Sequence, residues 1–340
     1  MQALKHLKRV VTDWFLCGMF LATFLAWLFP RFGAAGGGMH AEYVINIGVF
    51  VVFFLHGINL SGEQIRHGLK NVRLHMMVQV FTFVVFPLLW LLGKTVFGTQ
   101  IPALLMLGFL YLCALPSTIS SSVALTGSAG GNVPAAILNA SLSSVLGIFI
   151  TPWLCSLVVG SGSDGIDLGA TLLDLCGLLL APLLLGQALR PWLGKFFAKY
   201  KRYTSVMDKL VILLLVYAAF CNSMMSGMWQ QQGLSVLVTA FVGSAVILAL
   251  VLWLTTRTAR ALKFSRPDEI AAVFCASKKS LAAGAPMAAL IFGAHPGLGL
   301  ILLPIMIYHP LQLIVCSIMA EAYSSKRDAA PKDAGLVSAR

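Results

Sequence analysis

Charge is scarce in this sequence, and acidic charge scarcest: 12 Asp and Glu stand against 24 Lys and Arg in 340 residues, and 11% of the chain is charged. A soluble domain carries about 25% charged residues, so a single water-facing shell around one core is excluded. The 59% of apolar residues must find lipid instead. Paired cysteines are also missing. Cys17, Cys113, Cys155, Cys176, Cys221, Cys275 and Cys316 lie in apolar stretches without a Cys-x-x-Cys pair, which argues against zinc and disulfide frameworks and for small packing residues. The sequence has no His-Glu-x-x-His, no Gly-x-Ser-x-Gly and no paired intramembrane carboxylates, so an intramembrane enzyme is not expected. No basic run is interleaved with aromatics on a polar face, and nucleic acid is not an expected partner. Lys5, Lys8 and Arg9 lead into a stretch ending at Pro30-Arg31 without a small-residue cleavage site. That stretch reads as a retained first span rather than a signal peptide.

What is present is long apolar runs. A helix needs about 20 apolar residues to cross the hydrocarbon, and ten candidates follow near 12–30, 43–60, 74–93, 101–127, 133–159, 169–189, 210–227, 234–256, 268–293 and 298–320. With the N-terminus inside, all 24 Lys and Arg except Arg31, Lys94, Lys278 and Lys279 fall on inner segments or the C-terminal tail. This positive-inside asymmetry supports both the span count and cytoplasmic termini, because a missed helix would invert everything after it. The expected setting is the bilayer of a plasma or bacterial inner membrane, crossed many times. Gly160 to Gly165 fits Gly-x-Gly-x-x-Gly but follows an apolar span rather than a strand, and reads as a flexible loop. The sequons at Asn59 and Asn139 fall on the inner side or within a span and are not expected to be glycosylated.

Ten spans divide into five plus five, and an odd repeat unit reverses orientation in the membrane. Inverted repeats with discontinuous helices at the solute site are common in secondary transporters. The fourth and ninth spans, equivalent under this division, are both interrupted. The fourth reads Cys113-Ala-Leu-Pro-Ser-Thr-Ile-Ser-Ser-Ser and the ninth Cys275-Ala-Ser-Lys-Lys-Ser. Pro116 removes an N–H and weakens the preceding turn. Ser117, Thr118, Ser120, Ser121 and Ser122 offer hydroxyls for backbone groups freed by unwinding, or for a solute or cation; alternatively they bond back within a merely kinked helix. The matching break in the ninth span favours the functional reading.

Lys278 and Lys279 are the most informative residues. A basic residue at a helix centre costs about 2.5–3.5 kcal/mol on insertion scales, and these two are adjacent. No acid lies inside their span; Asp268 and Glu269 come a turn or more earlier, and Asp174 sits near an outer end. Two stabilising roles are open: carbonyls at the end of a half-helix receive an ammonium, and an anionic solute supplies the remaining charge. The alternative is that a lysine snorkels along a cavity without touching solute. Ser277, Ser280 and Asn139 join the candidate site. His56 and His309 read as proton relays or as hydrogen-bonded core histidines, and Asn132 as the cap of the fifth span. Ser141, Ser143 and Ser144 face a cavity or permit close packing, with Gln79 and Gln312 similarly placed.

Leu112-Cys-Ala-Leu-Pro-Ser-Thr, Gly130-Gly-Asn-Val and Phe274-Cys-Ala-Ser-Lys-Lys-Ser-Leu-Ala resemble the bile acid:sodium symporter superfamily, nearest its SBF-like branch, which includes bacterial proteins of unassigned substrate and a eukaryotic member linked to calcium homeostasis. The resemblance covers essentially the whole chain. It implies an all-α polytopic fold of ten transmembrane helices in two inverted five-helix repeats, with the broken fourth and ninth helices crossing in a core. It further implies a panel domain of 11–72 and 168–233, a core domain of 73–167 and 234–322, and solute binding between them; 323–340 reads as a disordered cytoplasmic tail. Where sodium-coupled members carry a Ser-Asn pair after the proline, this chain has Ser121-Ser122. Their fifth-span ligands fall on Ala136 and Ala140, and their ninth-span Glu and Gln at or near Phe274 and Lys278. Sodium, if bound, would lie near Ser121, Ser122 and Ser141. The resulting expectation is a secondary active transporter of a small organic anion, working by alternating access without a cofactor. Lys278 or Lys279 then replaces sodium, so that transport is sodium-independent or coupled to lysine deprotonation. The alternatives are a regulator of calcium fluxes and a sodium-coupled symporter with atypical sites.

Overall fold

The computed structural model describes residues 14–59, 71–159, 168–227, 233–293 and 295–328. Among these residues the architecture is all helical. In chain order the helices are α1 (Trp14–Leu28), α2 (Ala41–Asn59), α3 (Val72–Phe97), α4 (Ala103–Ala114), α5 (Ser120–Ser128) and α6 (Val133–Val159). There follow α7 (Leu168–Lys199), α8 (Lys201–Met225), α9 (Leu234–Ala261), α10 (Arg266–Ala276), α11 (Leu281–Phe292) and α12 (Leu298–Asp328), with one further turn at Pro30–Gly33. Among the described residues five helices are long and apolar enough to cross a bilayer: α3, α6, α8, α9 and α12. Phe20, Trp192 and Leu234 are 73%, 74% and 75% exposed, and large apolar side chains turned outward in such number suit lipid rather than water.

The helices pack in two groups. α7 lies along α2, and α8 packs on α1 and α2; α4 packs against α12, α9 against α10 and α12, and α6 against α4, α5 and α10. Glycine makes the α2–α7 crossing possible. A Cβ on Gly57 would collide with the Leu183 carbonyl, and one on Gly186 with the Phe54 carbonyl, so the two backbones touch where a side chain has no room. α6, α7, α8, α11 and α2 also meet between the groups.

Two stretches differ from the sequence reading. The basic segment 190–209, an inner segment between two candidate spans, is helical on both sides of Tyr200. A helix satisfies its own backbone and therefore continues through the interface while its long basic side chains reach water. The last helix runs to Asp328, into the segment read as a disordered tail, where the Arg266 guanidinium donates to the Tyr323 carbonyl at 2.7 Å. The rest of that tail and Gly160 to Gly165 lie outside the described residues, as does the side chain of Asp174.

At the end where α3, α6 and α10 begin, one carboxylate ties three helices. Asp268 accepts from the side-chain amides of Asn71 at 3.0 Å and Asn132 at 2.7 Å, while the same two asparagines cap α3 and α6 through Leu74 N–H and Ala135 N–H. Asp268→Ala should therefore lower the melting temperature, with a cost on the order of 2 kcal/mol for the lost charge-assisted bonds. Asp268→Asn should recover part of it. An unchanged melting temperature in the Ala variant would show the clasp to be idle.

Candidate functional site

The two stretches read from sequence as the fourth and ninth spans are each broken at their polar interruption. α4 ends at Ala114 and α5 starts at Ser120; α10 ends at Ala276 and α11 starts at Leu281. A helix end leaves carbonyls and N–H groups without partners, and buried ones must be satisfied elsewhere. Here the two breaks largely satisfy each other. Ser280 N–H donates to the Pro116 carbonyl at 2.9 Å. The Ser117 hydroxyl donates to the Cys275 carbonyl at 2.6 Å, and the Ser122 hydroxyl to the Phe274 carbonyl at 3.3 Å. Neighbouring helices close the remainder: Thr151 of α6 donates to Ala114 C=O, Tyr308 of α12 to Ser277 C=O, and Ser117 N–H to the Ser143 hydroxyl. Gly147 on α6 lets Pro116 approach, since any Cβ there would strike the proline ring.

Lys279 fills the centre of this crossing. Its ammonium donates to the carbonyls of Thr82 at 2.8 Å, Cys113 at 2.7 Å and Leu115 at 2.7 Å, and lies 4.0 Å from the centroid of the Phe86 ring. An ammonium has three donors, and all three are used, with the ring face adding a cation–π contact. The Thr82 carbonyl is available for a reason written in α3. Residues 81–85 form a π-helical segment, whose i→i+5 pattern would pair Thr82 C=O with the N–H of residue 87, and residue 87 is proline. The main chain of Lys279 is held as well: Gln312 accepts its N–H at 2.8 Å and donates to its carbonyl at 2.8 Å.

Lys278 is the opposite case. Its side chain is 0% exposed, yet its Nζ has no hydrogen-bond partner among the described residues. Its ionisable neighbours are the thiols of Cys275 and Cys316. Among the described residues the ion pair is Arg260–Glu269 at 3.1 Å, on the surface, so neither lysine has a carboxylate. Both amines are fully buried, and neither snorkels to water.

The remaining candidates divide. Ser117, Thr118, Ser121 and Ser122 cluster at the break; Thr118 shares its hydroxyl with Ser121 at 2.8 Å and Ser122 at 3.1 Å. Ser277 bonds back to Val273 C=O, and Ser280 caps α11 through Ala283 N–H. Ser120 is exposed. Asn139 and Ser141 are buried on α6, where Gln79 donates to the Asn139 carbonyl at 3.1 Å and the Asn139 side-chain oxygen stays unpaired. Ala136 and Ala140 are fully buried methyls. No metal-holding group of three or more His, Cys, Asp or Glu occurs among the described residues.

Sequence reasoning missed the part played by Thr82, Phe86, Thr151 and Tyr308, and gave Gln312 only a weak claim. Pro87 was the one available signal for Thr82. The others act through backbone carbonyls or from distant helices, which residue type does not announce.

A scan against family models matches residues 13–325 to the SBF-like CPA transporter family. The chain is 43% identical to an uncharacterized Pseudomonas aeruginosa protein over 321 residues, covering 94% of this chain and 95% of that one. It is 41% identical to the Escherichia coli protein named putative symporter YfeH, over 84% and 86% of the two chains. To a zebrafish protein named sodium/bile acid cotransporter 7 it is 35% identical, over 92% and 94%. With a family match along nearly its whole length and relatives named as symporters and cotransporters, the chain belongs to the SBF-like CPA transporter family and is a membrane transporter of the bile acid:sodium symporter type, not an enzyme.

Proposed function

We propose that this protein carries a small organic anion across the membrane by alternating access, with the Lys279 ammonium standing in for a bound sodium ion. One observation carries the reading: three main-chain oxygens, one from α3 and two from the broken end of α4, converge on Nζ of Lys279. Rings of backbone carbonyls are how membrane proteins replace the hydration shell of a monovalent cation. In this chain the cation is tethered. Breaks at corresponding places of the fourth and ninth spans support two inverted five-helix repeats with the broken helices crossing at the solute site. The two packing groups support a panel of 11–72 and 168–233 beside a core of 73–167 and 234–322. The positive-inside asymmetry supports cytoplasmic termini. The name of the zebrafish relative, sodium/bile acid cotransporter 7, supports an organic anion as cargo.

With a fixed cation in the cage, no sodium is needed to complete the core. Uptake of taurocholate, or of an anion found by thermal-shift screening, into proteoliposomes should therefore be unchanged when choline replaces external sodium. Uptake that climbs steeply with sodium would refute the substitution.

A further inference from the structure

Where α7 hands over to α8, basic, aromatic and apolar side chains follow one another along the outside of the molecule. Arg190, Lys195, Lys199, Lys201 and Arg202 bring five positive charges before the first acid, Asp208. Asp208 itself is half-buried, with His56 of α2 and Lys209 as its charged neighbours. Beyond the basic stretch, Tyr203, Val206, Met207 and Leu210 recur at the three- and four-residue spacing that puts side chains on one face of a helix. All four are exposed, Tyr203 at 72%, and they line a shallow groove of about 500 Å³. That volume falls within the range of small-molecule sites, about 300–1,000 Å³. The groove is apolar except at its Tyr203 end, where the aromatic series continues toward the charges. The Tyr200 ring lies 6.2 Å from that of Tyr203 and 4.8 Å from that of Phe196, and the Lys199 ammonium lies 5.7 Å from the Tyr200 centroid.

We propose that this stripe binds one anionic phospholipid, with its phosphate beside Lys199 and an acyl chain along Val206, Met207 and Leu210. The order of the side chains is the order of the lipid. An ammonium meets the phosphate, tyrosine hydroxyls donate to phosphate or ester oxygens from rings suited to the headgroup level, and methyl and thioether groups meet hydrocarbon. The sign of the headgroup follows from charge. A zwitterionic lipid brings its own cation to a face that already holds five, whereas an anionic one does not. A free anion of the same chemistry would satisfy Lys199 and leave the groove uncovered. A second copy would fit poorly, because a two-fold contact sets the same patch against itself, five positive charges against five. The site is remote from Lys278 and Lys279, and its test neither relies on nor decides the transport reading.

The test is native mass spectrometry of the full-length protein in detergent, titrated with phosphatidylglycerol or phosphatidylcholine of matched chains, with K199Q and M207W beside the parent. The first phosphatidylglycerol adduct should form at several-fold lower lipid concentration than the first phosphatidylcholine adduct. K199Q should weaken it about fivefold, the effect of one basic residue at an anionic lipid surface, and leave phosphatidylcholine unchanged. M207W puts an indole where the chain would lie and should weaken phosphatidylglycerol binding as well. Added glycerol 3-phosphate, which is the headgroup chemistry without the chains, should not compete at matched concentration. Equal affinity for the two lipids, phosphatidylglycerol binding that either substitution leaves untouched, or displacement by glycerol 3-phosphate would overturn the proposal. So would a dimer that M207W abolishes, since a second copy would then cover the face. Should a variant fail to fold, the comparison of the two lipids on the parent decides.

Discussion

Lys279→Met should produce a protein that scarcely accumulates, or that melts far below the parent when it does. Methionine matches the length and the apolar stem but brings no donor. The carbonyls of Thr82, Cys113 and Leu115 would then be buried without partners, each costing about 1–3 kcal/mol, against a total folding stability typically about 5–15 kcal/mol. Lys279→Arg should not rescue it, because a planar fork does not match three oxygens gathered round one nitrogen. Lys279→Ala gives a sharper check. It leaves room for n-propylammonium, which supplies the missing carbons, the charge and three N–H donors. Added n-propylammonium should raise the melting temperature of this variant, while tetramethylammonium, of equal charge but without N–H, should not. Equal responses to the two ions would show that charge alone holds the site, and the carbonyl-cage account would fail.

How far the sequence announced this arrangement depends on what carries each part. The breaks were legible, because Pro116 with its following hydroxyls and the adjacent Lys278 and Lys279 are side-chain signals within apolar runs. The way the breaks close on each other was not, since Ser280 N–H to Pro116 C=O is a main-chain contact between residues 164 positions apart that no local pattern encodes. The π segment at residues 81–85 reads in sequence as ordinary apolar helix, and only Pro87 hints that a carbonyl nearby goes unpaired. Ser120 was grouped with its neighbours by sequence adjacency, yet it is exposed while Ser122 is buried, as successive residues on a helix face different ways. The basic stretch 190–209 falls outside the candidate spans because hydropathy sees charge, whereas a helix ends only where its backbone bonds end. Two adjacent lysines look alike in sequence. Their environments separate them.

Lys278→Met should do the reverse of Lys279→Met: it should leave the protein as stable as the parent or more so, and remove its response to the solute. An ammonium taken from water into a protein interior without a partner costs several kcal/mol, and Nζ of Lys278 is buried and unpaired among the described residues. Methionine of similar length fills the same space without that cost, so its melting temperature should rise. An intramembrane charge is retained at such cost where function uses it, and on the proposed reading an acidic group on the cargo would supply the partner this amine lacks. An organic anion that raises the melting temperature of the parent should therefore fail to do so in Lys278→Met, since ligand stabilisation follows differential binding to the folded state. Lys278→Arg, which keeps the charge, should retain part of the response. If Lys278→Met instead melts as early as Lys279→Met, both amines are structural and the anion must bind elsewhere. If it is stabilised and still responds to the anion in full, the buried charge faces something other than cargo. Opposite signs for neighbouring substitutions would mean that one lysine completes the fold and the other leaves it incomplete until solute arrives.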